Sequence, residues 1–353
     1  MSLLERMLKT GSVSGAAIMS ESDFFNKKDM TSTDLPILNV AFSGDIDGGF
    51  GPGITIAAGN SKTFKSMTGL YCLRSYLNKY KDAIGIIYDT EYGISIENLR
   101  AFGIDPSRIL HVPVEHIEQL KFDFVKKLDD IKKGEHVFFM VDSIGLISSK
   151  KETDDANDEK SVADLSRSKA LRSFFRLITI QLSKKELPCY IINHVYQTME
   201  IYAKTIVSGG SAVELASNTI FVITKSQEKD SDGDLSGWNF NITIHKSRTV
   251  KEKSKFSMQV MYGKGINIYS GMMDLALESG HLIKPKNGWY QMVDKESGEV
   301  IEGSYRAAAT ECEEVLGKIM KTQSFKDFIK QKYQLTPMEL DNISLVDDEE
   351  GDE

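Results

Sequence analysis

No run of apolar residues in this chain is long enough to cross a bilayer, and no pattern of a secretory leader stands at its start. Cysteine is scarce. Cys72, Cys189 and Cys312 stand far apart and form neither a disulfide framework nor a metal-ligand spacing, which fits a reduced, intracellular setting. A basic surplus is lacking as well: 43 Lys and Arg face 51 Asp and Glu, for a net charge of -8. That balance argues against a permanently basic coat, while leaving room for a local nucleic-acid path. There is no internal repeat. What remains is 353 residues, 41% apolar and 27% charged, the composition of a soluble globular protein with a large core and one or two domains.

The chain is organised around residues 54–66. A short Ile-rich run reads as a buried strand, and it leads into Gly59-Asn60-Ser61-Lys62-Thr63-Phe64-Lys65-Ser66. A helical pattern follows, with Met67, Leu70, Tyr71, Leu73 and Leu77. Strand, Gly-led loop, Lys-Ser and helix make a phosphate-binding arrangement, in which backbone N–H groups face the phosphates. In that arrangement Lys65 meets the terminal phosphates and the Ser66 hydroxyl meets Mg2+. The usual pattern has Gly before the lysine, and here Phe64 stands there. A plain strand-loop-helix corner with a surface lysine also fits this segment taken alone.

Further along, residues 83–91 predict a second strand with acids at its end. Glu91 is placed to orient and deprotonate a water, though a helix-capping or solvent-facing acid fits equally. Residues 137–143 predict a buried strand tipped by Asp142, a candidate for Mg2+ or for an ordinary turn. Residues 148–163 are polar and mixed in charge and predict a mobile loop. The helix after it carries Arg167, Lys169 and Arg172. Pro188 opens another strand that ends in Asn193-His194, where His194 reads as a phosphate sensor or as a satisfied core histidine. A second polar loop, 196–212, holds Lys204 and Ser208-Gly209-Gly210, glycines that allow close approach to a phosphate chain or merely a turn. Residues 219–225 and 238–244 predict a hairpin, followed by the cationic run from Lys246 and Arg248 to Lys251, Lys253 and Lys255. Such a run is a solvated face or a contact to a phosphate on a neighbouring subunit. Ahead of the first strand, residues 36–53 predict loop, on the strength of Gly44, Gly48, Gly49, Gly51 and Gly53.

In this order the elements resemble the RecA-type recombinases, and within them the UvsX branch of T-even-like phages. Phe64 before the lysine, Asp142-Ser143, Ile192-Asn193-His194, and the runs at 245–248, 251–256 and 284–290 carry the likeness, which covers nearly the whole chain. The resemblance implies a RecA-like phosphate-loop α/β ATPase core with a central, mostly parallel sheet at 31–270. It also implies a short docking segment at 1–30, a small α+β C-terminal domain at 271–340 and an acidic tail at 341–353. By the same resemblance Lys65 and Ser66 bind ATP and Mg2+, Glu91 is the catalytic base, and Asp142 is the second magnesium-side acid. His194 takes the place of the family's glutamine, which couples nucleotide state to the DNA loop. Residues 148–163 and 197–211 become the two DNA-facing loops, with Arg167, Lys169, Lys204, Gly209 and Gly210 as DNA contacts. Lys246 and Arg248 reach the ATP of the adjacent subunit. Phe24 or Phe25 becomes an interface anchor. The family stacks a tyrosine on adenine at the position of Asn98; an amide lacks that face, and Arg100 is the neighbouring residue able to stack.

The implied function is ATP-dependent homologous pairing and strand exchange by a helical filament on single-stranded DNA, serving phage recombination, recombination-dependent replication and repair. The implied partners are single-stranded DNA, a homologous duplex, further copies of the chain, a recombination mediator, a single-strand-binding protein and a replication helicase, all in the cytoplasm of an infected bacterium. A membrane partner is not expected. Two other classes remain: a hexameric helicase on the same core, which would unwind a fork without homology, and a nucleotide-binding structural protein without DNA-stimulated turnover.

Overall fold

The apolar runs ending at Ala58, Asp89, Asp142 and Asn193 are strands of one sheet in the computed structural model, which describes residues 2–12, 16–21, 29–157, 165–199, 204–301 and 303–335. Phe24, Phe25, residues 158–164 and 200–203, and the acidic tail lie outside the described residues.

Helix α1 (Leu3–Thr10) starts on a capping box between Ser2 and Glu5 and buries no residue. Helix α2 (Pro36–Ser43) occupies part of the stretch expected as loop. Pro36 suits the first turn, Gly44 closes the helix at φ +67°, and Ile37, Leu38, Val40 and Phe42 are buried beneath it. The glycines that suggested loop begin only after the helix ends.

The core then runs β1 (Gly53–Ala58), α3 (Lys65–Lys79), β2 (Ile84–Asp89), α4 (Ile96–Ala101), β3 (Ile109–Pro113), α5 (Ile117–Asp130), β4 (Val137–Asp142), α6 (Lys150–Asn157), α7 (Ser166–Lys185) and β5 (Pro188–Asn193). A small hairpin, β6 (Val195–Gln197) with β7 (Thr205–Val207), precedes α8 (Ser211–Ala216). The long strands β8 (Thr219–Lys229), β9 (Leu235–Ser247) and β10 (Lys255–Met261) and the short β11 (Gly265–Ile266) complete the sheet. Among the described residues its order is β11-β10-β9-β8-β1-β5-β4-β2-β3. From β8 to β3 all neighbours are parallel; β8, β9, β10 and β11 pair antiparallel.

Strand β4 shows why the sheet is covered on both faces. Val137, Phe139 and Val141 enter one apolar cluster, where Phe139 stacks on Phe124 at 4.4 Å. Phe138 and Met140 enter the cluster on the opposite face. A strand buried on both sides reads as one continuous apolar run, as this one does.

Polar residues make two departures from expectation. The segment 148–163 carries α6, started by Ser149, whose hydroxyl accepts from Glu152 N at 3.1 Å, and supported by the Lys151–Asp155 ion pair one turn apart. The hairpin β8–β9 is longer than its apolar stretch, because backbone pairing such as Gln227↔Trp238 continues past the core.

After the sheet come α9 (Met272–Glu278), the hairpin β12 (Leu282–Lys286) and β13 (Trp289–Met292), and helices α10 (Ala307–Thr310), α11 (Lys318–Lys321) and α12 (Gln323–Tyr333). Phe325 and Ile329 share an apolar cluster with Phe256 and Met258 of β10. Ion pairs Lys326–Asp47 (2.7 Å) and Lys330–Asp45 (3.1 Å) tie α12 to the loop before β1.

Candidate nucleotide site

Parallel pairing fixes where side chains at the strand ends meet. Ala58 pairs with Asn193 and Asp89 with Asp142, so the carboxyl ends of β1, β5, β4 and β2 come level along one edge. In the chain β1 is followed by β2, yet β5 and β4 lie between them, and such a switch leaves a crevice above the strand ends. A cavity of about 320 Å³ lies there, lined by residues 61–67 with Glu91, Asp142, Ile192 and His194.

The loop from β1 to α3 is held by its own chemistry. A Cβ on Gly59 would sit 2.4 Å from Ile223 O and 2.7 Å from Thr63 Oγ1, so only glycine fits. Phe64 occupies the helix N-cap at φ +67°, a left-handed conformation unfavourable for a bulky residue by roughly 1–2 kcal/mol. Its ring stacks on Phe240 of β9, with centroids 4.7 Å apart and planes at 24°. Such a pair contributes about 0.5–1.5 kcal/mol beyond its area, which offsets much of the backbone cost. This explains how phenylalanine stands where the usual pattern has glycine. Phe64→Ala keeps the unfavourable φ and loses the ring, whereas Phe64→Gly removes both. We therefore expect the glycine variant to be the more stable of the two, with the alanine variant down by about 1–3 kcal/mol. Urea midpoints of the two variants test this; alanine above glycine would contradict the left-handed cap.

Lys65 opens α3 and is only 6% exposed. Its Nζ donates to Asn60 O at 2.6 Å and lies 3.4 Å from Thr63 Oγ1. Burial lowers its proton affinity, while the Asp142 and Glu91 charges oppose that shift. Asp142 is buried too, and burial first, then the charges of Glu91 and Asp89, push its carboxyl up to about 6 against the Ser66 hydroxyl and Lys65. A buried carboxylate raised by burial and by neighbouring negative charge is a place that favours a cation. Among the described residues no group of three His, Cys, Asp or Glu side chains could hold a metal unaided. Ser66 and Asp142 therefore fit Mg2+ only together with phosphate oxygens and water, as that ion commonly binds.

Glu91 sits on a turn shaped by Asp89, which is 1% exposed. Asp89 Oδ1 accepts from Glu91 N (3.0 Å) and Tyr92 N (2.7 Å), and its Oδ2 lies 3.2 Å from His111 Nε2. One oxygen of Glu91, Oε1, accepts from Ser143 Oγ at 2.5 Å and lies 3.2 Å from His194 Nε2. Burial raises the Glu91 pKa, but the Ser143 and His194 bonds and the nearby positive charges outweigh it and hold the carboxyl below its ordinary value. Gly145 leaves room for the imidazole, since a Cβ there would meet His194 Cδ2 at 2.1 Å. Beyond His194, Asn193 Nδ2 donates to Ser208 O at 2.7 Å, and Ser208 N donates to His194 O at 3.0 Å. The end of β5 is thus tied to the loop of Gly209 and Gly210, both at positive φ.

The remaining candidate residues lie elsewhere. Asn98 and Arg100 do not line the cavity; Asn98 Oδ1 accepts from Ser95 N at 3.1 Å in the capping box of α4, which accounts for an amide at this position. Lys246 and Arg248 also lie outside it. Lys246 donates to Glu214 O, and a bulge at His245 precedes it, since Ile220 pairs with Lys246 while Phe221 pairs with Ile244. The strand stops at Ser247, so Arg248 leaves on a turn rather than by strand alternation, into a groove with Asp29, Asp45, Asp47 and Lys330.

Lys169 and Lys204 are exposed at the two loops, but Arg167 has a different occupation. Its Nε donates to Ile147 O (2.7 Å) and its Nη2 to Ile144 O (3.2 Å) and Gly145 O (2.7 Å), pinning the chain that follows β4. Arg167→Ala should therefore lower stability by about 2–3 kcal/mol, because buried carbonyls lose charged donors. Lys169→Ala should leave stability alone and reduce the salt slope of single-strand binding by roughly 0.7. Melting curves and salt titrations of the two variants check this; a purely salt-dependent Arg167 phenotype would return that residue to the DNA path. Sequence reasoning singled out neither Asp89 nor the Ser143 hydroxyl as a functional group. Their signal was their place at strand ends beside Glu91 and Asp142.

The fold and these strand-end residues define a RecA-like phosphate-loop protein. The family model described as the C-terminal domain of the bacteriophage T4 recombination and repair protein matches residues 269–329. The recombination and repair protein of Enterobacteria phage T4 is 45% identical over 345 residues, 97% of this chain and 88% of that protein. Protein RecA of Malacoplasma penetrans is 23% identical over 280 residues, 78% of this chain and 81% of that one. Protein RecA of Mycoplasma mycoides is 23% identical over 305 residues, 84% and 82% of the two chains. The chain belongs to the family of the phage T4 recombination and repair protein and is a recombination and repair protein of RecA-like fold.

Proposed function

We propose that this protein is an ATP-dependent DNA recombinase that assembles as a helical filament on single-stranded DNA and exchanges strands with a homologous duplex. The observation that carries the reading is the convergence of Lys65, Ser66, Asp142, Glu91 and His194 on one cavity above the strand ends. ATP lies with its phosphates on the loop amides and the N-terminus of α3, and Lys65 exchanges Asn60 O for phosphate oxygens. Mg2+, held by Ser66 and Asp142, supplies charge neutralisation on the phosphates. Glu91 orients a water in line with the γ-phosphorus and takes its proton as the bond to ADP breaks. His194, bonded to Glu91 and rooted at the second loop, links this event to DNA. Hydrolysis then loosens the filament.

The proposed partners are single-stranded DNA, homologous duplex and other copies of the chain, with a recombination mediator, a single-strand-binding protein and a replication helicase acting alongside in the host cytoplasm. Residues 1–30 are proposed to dock on a neighbouring subunit, and 31–270, 271–340 and 341–353 to act as core, small C-terminal domain and acidic tail. The test is strand exchange with homologous and heterologous duplexes. Joint molecules and displaced strand should appear only with homology and ATP. Unwinding of a fork without homology would mark a helicase instead.

A further inference from the structure

We infer that Ser143 is a positioning residue for hydrolysis: its hydroxyl fixes Oε1 of Glu91 and leaves Oε2 to take the proton from the attacking water. This rests on the reading of Glu91 as the base. Glu91 has a side chain 43% exposed, with several rotatable bonds, and a base must hold its oxygen within hydrogen-bond reach of the water. What restrains it comes from the neighbouring strand. Ser143 is fully buried and directly follows β4. Its backbone N donates to Thr90 Oγ1 (2.9 Å), Thr90 Oγ1 donates back to Ser143 O (2.9 Å), and Thr90 N donates to Asp142 O (2.8 Å). The hydroxyl that holds Glu91 therefore belongs to backbone locked across β2 and β4. The second partner of the same oxygen, His194, is at the root of the β6–β7 hairpin. Both partners follow sheet strands, Ser143 bonded to Thr90 just after β2 and His194 to Ser208 of the loop, so loss of the His194 contact leaves Glu91 still aimed by Ser143. The Ser143–Glu91 bond is a short hydroxyl-to-carboxylate contact of 2.5 Å, the stronger kind of hydrogen bond.

The experiment measures DNA-stimulated ATP hydrolysis and nucleotide binding for Ser143→Ala, Glu91→Gln and the double variant, with melting curves for each. Ser143→Ala should lower kcat by roughly 10- to 100-fold, the cost of a misplaced catalytic group, with KM and nucleotide affinity unchanged. The double variant should be no slower than Glu91→Gln alone, because Ser143 acts through that carboxylate. Ser143→Cys, which keeps a weaker donor in place, should fall between serine and alanine, and it carries the test if the alanine variant does not fold. A Ser143→Ala kcat equal to the parent's, or losses that multiply in the double variant, would overturn the assignment while leaving Glu91 as the base. A Glu91→Gln protein at the parent rate would instead remove the base reading, and this inference with it.

Discussion

Lys65→Met should give a folded protein whose urea midpoint stays near the parent's and which shows no measurable DNA-stimulated ATP hydrolysis. The two halves of this outcome have one cause. Lys65 is buried with its charge against the desolvation that lowers its pKa, so the ammonium is a cost to the empty protein. Methionine has similar length and no charge; it removes the desolvation cost of the ammonium but also takes a cation from Asp142 and Glu91, so the two effects on stability oppose each other. No buried acceptor is orphaned, because Asn60 O still accepts from Thr63 Oγ1 at 2.8 Å. Catalysis loses a preorganised cation at the site of developing charge, which costs roughly 10²- to 10³-fold even when a single donor is removed. Equilibrium urea unfolding and steady-state turnover with saturating single-stranded DNA make the pair of measurements. A variant that loses stability in step with turnover would show that Lys65 holds the loop together rather than a phosphate, and parent-like turnover would move the phosphate site elsewhere.

The parts of the site that could be read from sequence are those that parallel sheets advertise. A strand buried on both faces is a continuous apolar run, and its ligand-facing residues are the polar ones that close it; Asp142 stands at such a place, His194 one residue beyond Asn193, and Glu91 two beyond Asp89. Strand β3 has no such run, being an edge strand whose residues are half-buried or exposed. Helix α2 was obscured by the glycines after it, although Pro36 and the apolar residues from Ile37 carried the signal. Arg167 shows the limit of charge as a clue. A cation beside a polar loop suggests phosphate, but three main-chain carbonyls from residues 144–147 occupy it, and no pattern in the sequence announces a contact across twenty residues. The same holds for Ser143, since a serine at a strand end has many local partners, and only the register of β2 against β4 selects Glu91.

Lys246→Ala/Arg248→Ala should bind nucleotide through its own intact loop yet lose DNA-stimulated hydrolysis by about 10³-fold or more, the scale of a cation supplied to a phosphoryl transfer from a neighbouring chain. Neither residue lines the cavity that Lys65 lines in its own subunit. They are near each other: burial and then the Arg248 charge lower the proton affinity of Lys246, while the Glu214 and Glu252 charges oppose that shift. Lys246 also anchors on Glu214 O of α8, so the same contact ties the cation to the helix that follows the proposed DNA loop. If they act across the boundary, mixing this variant with Lys65→Met should restore activity that neither has alone. In a head-to-tail assembly each boundary joins one patch from each subunit, so a random equal mixture makes about one boundary in four productive. At that boundary the double variant supplies the intact phosphate loop and Lys65→Met supplies the intact cations. Sedimentation must show that the two variants share filaments on the same DNA. Shared filaments that hydrolyse no ATP at any mixing ratio would place both cations outside the reaction.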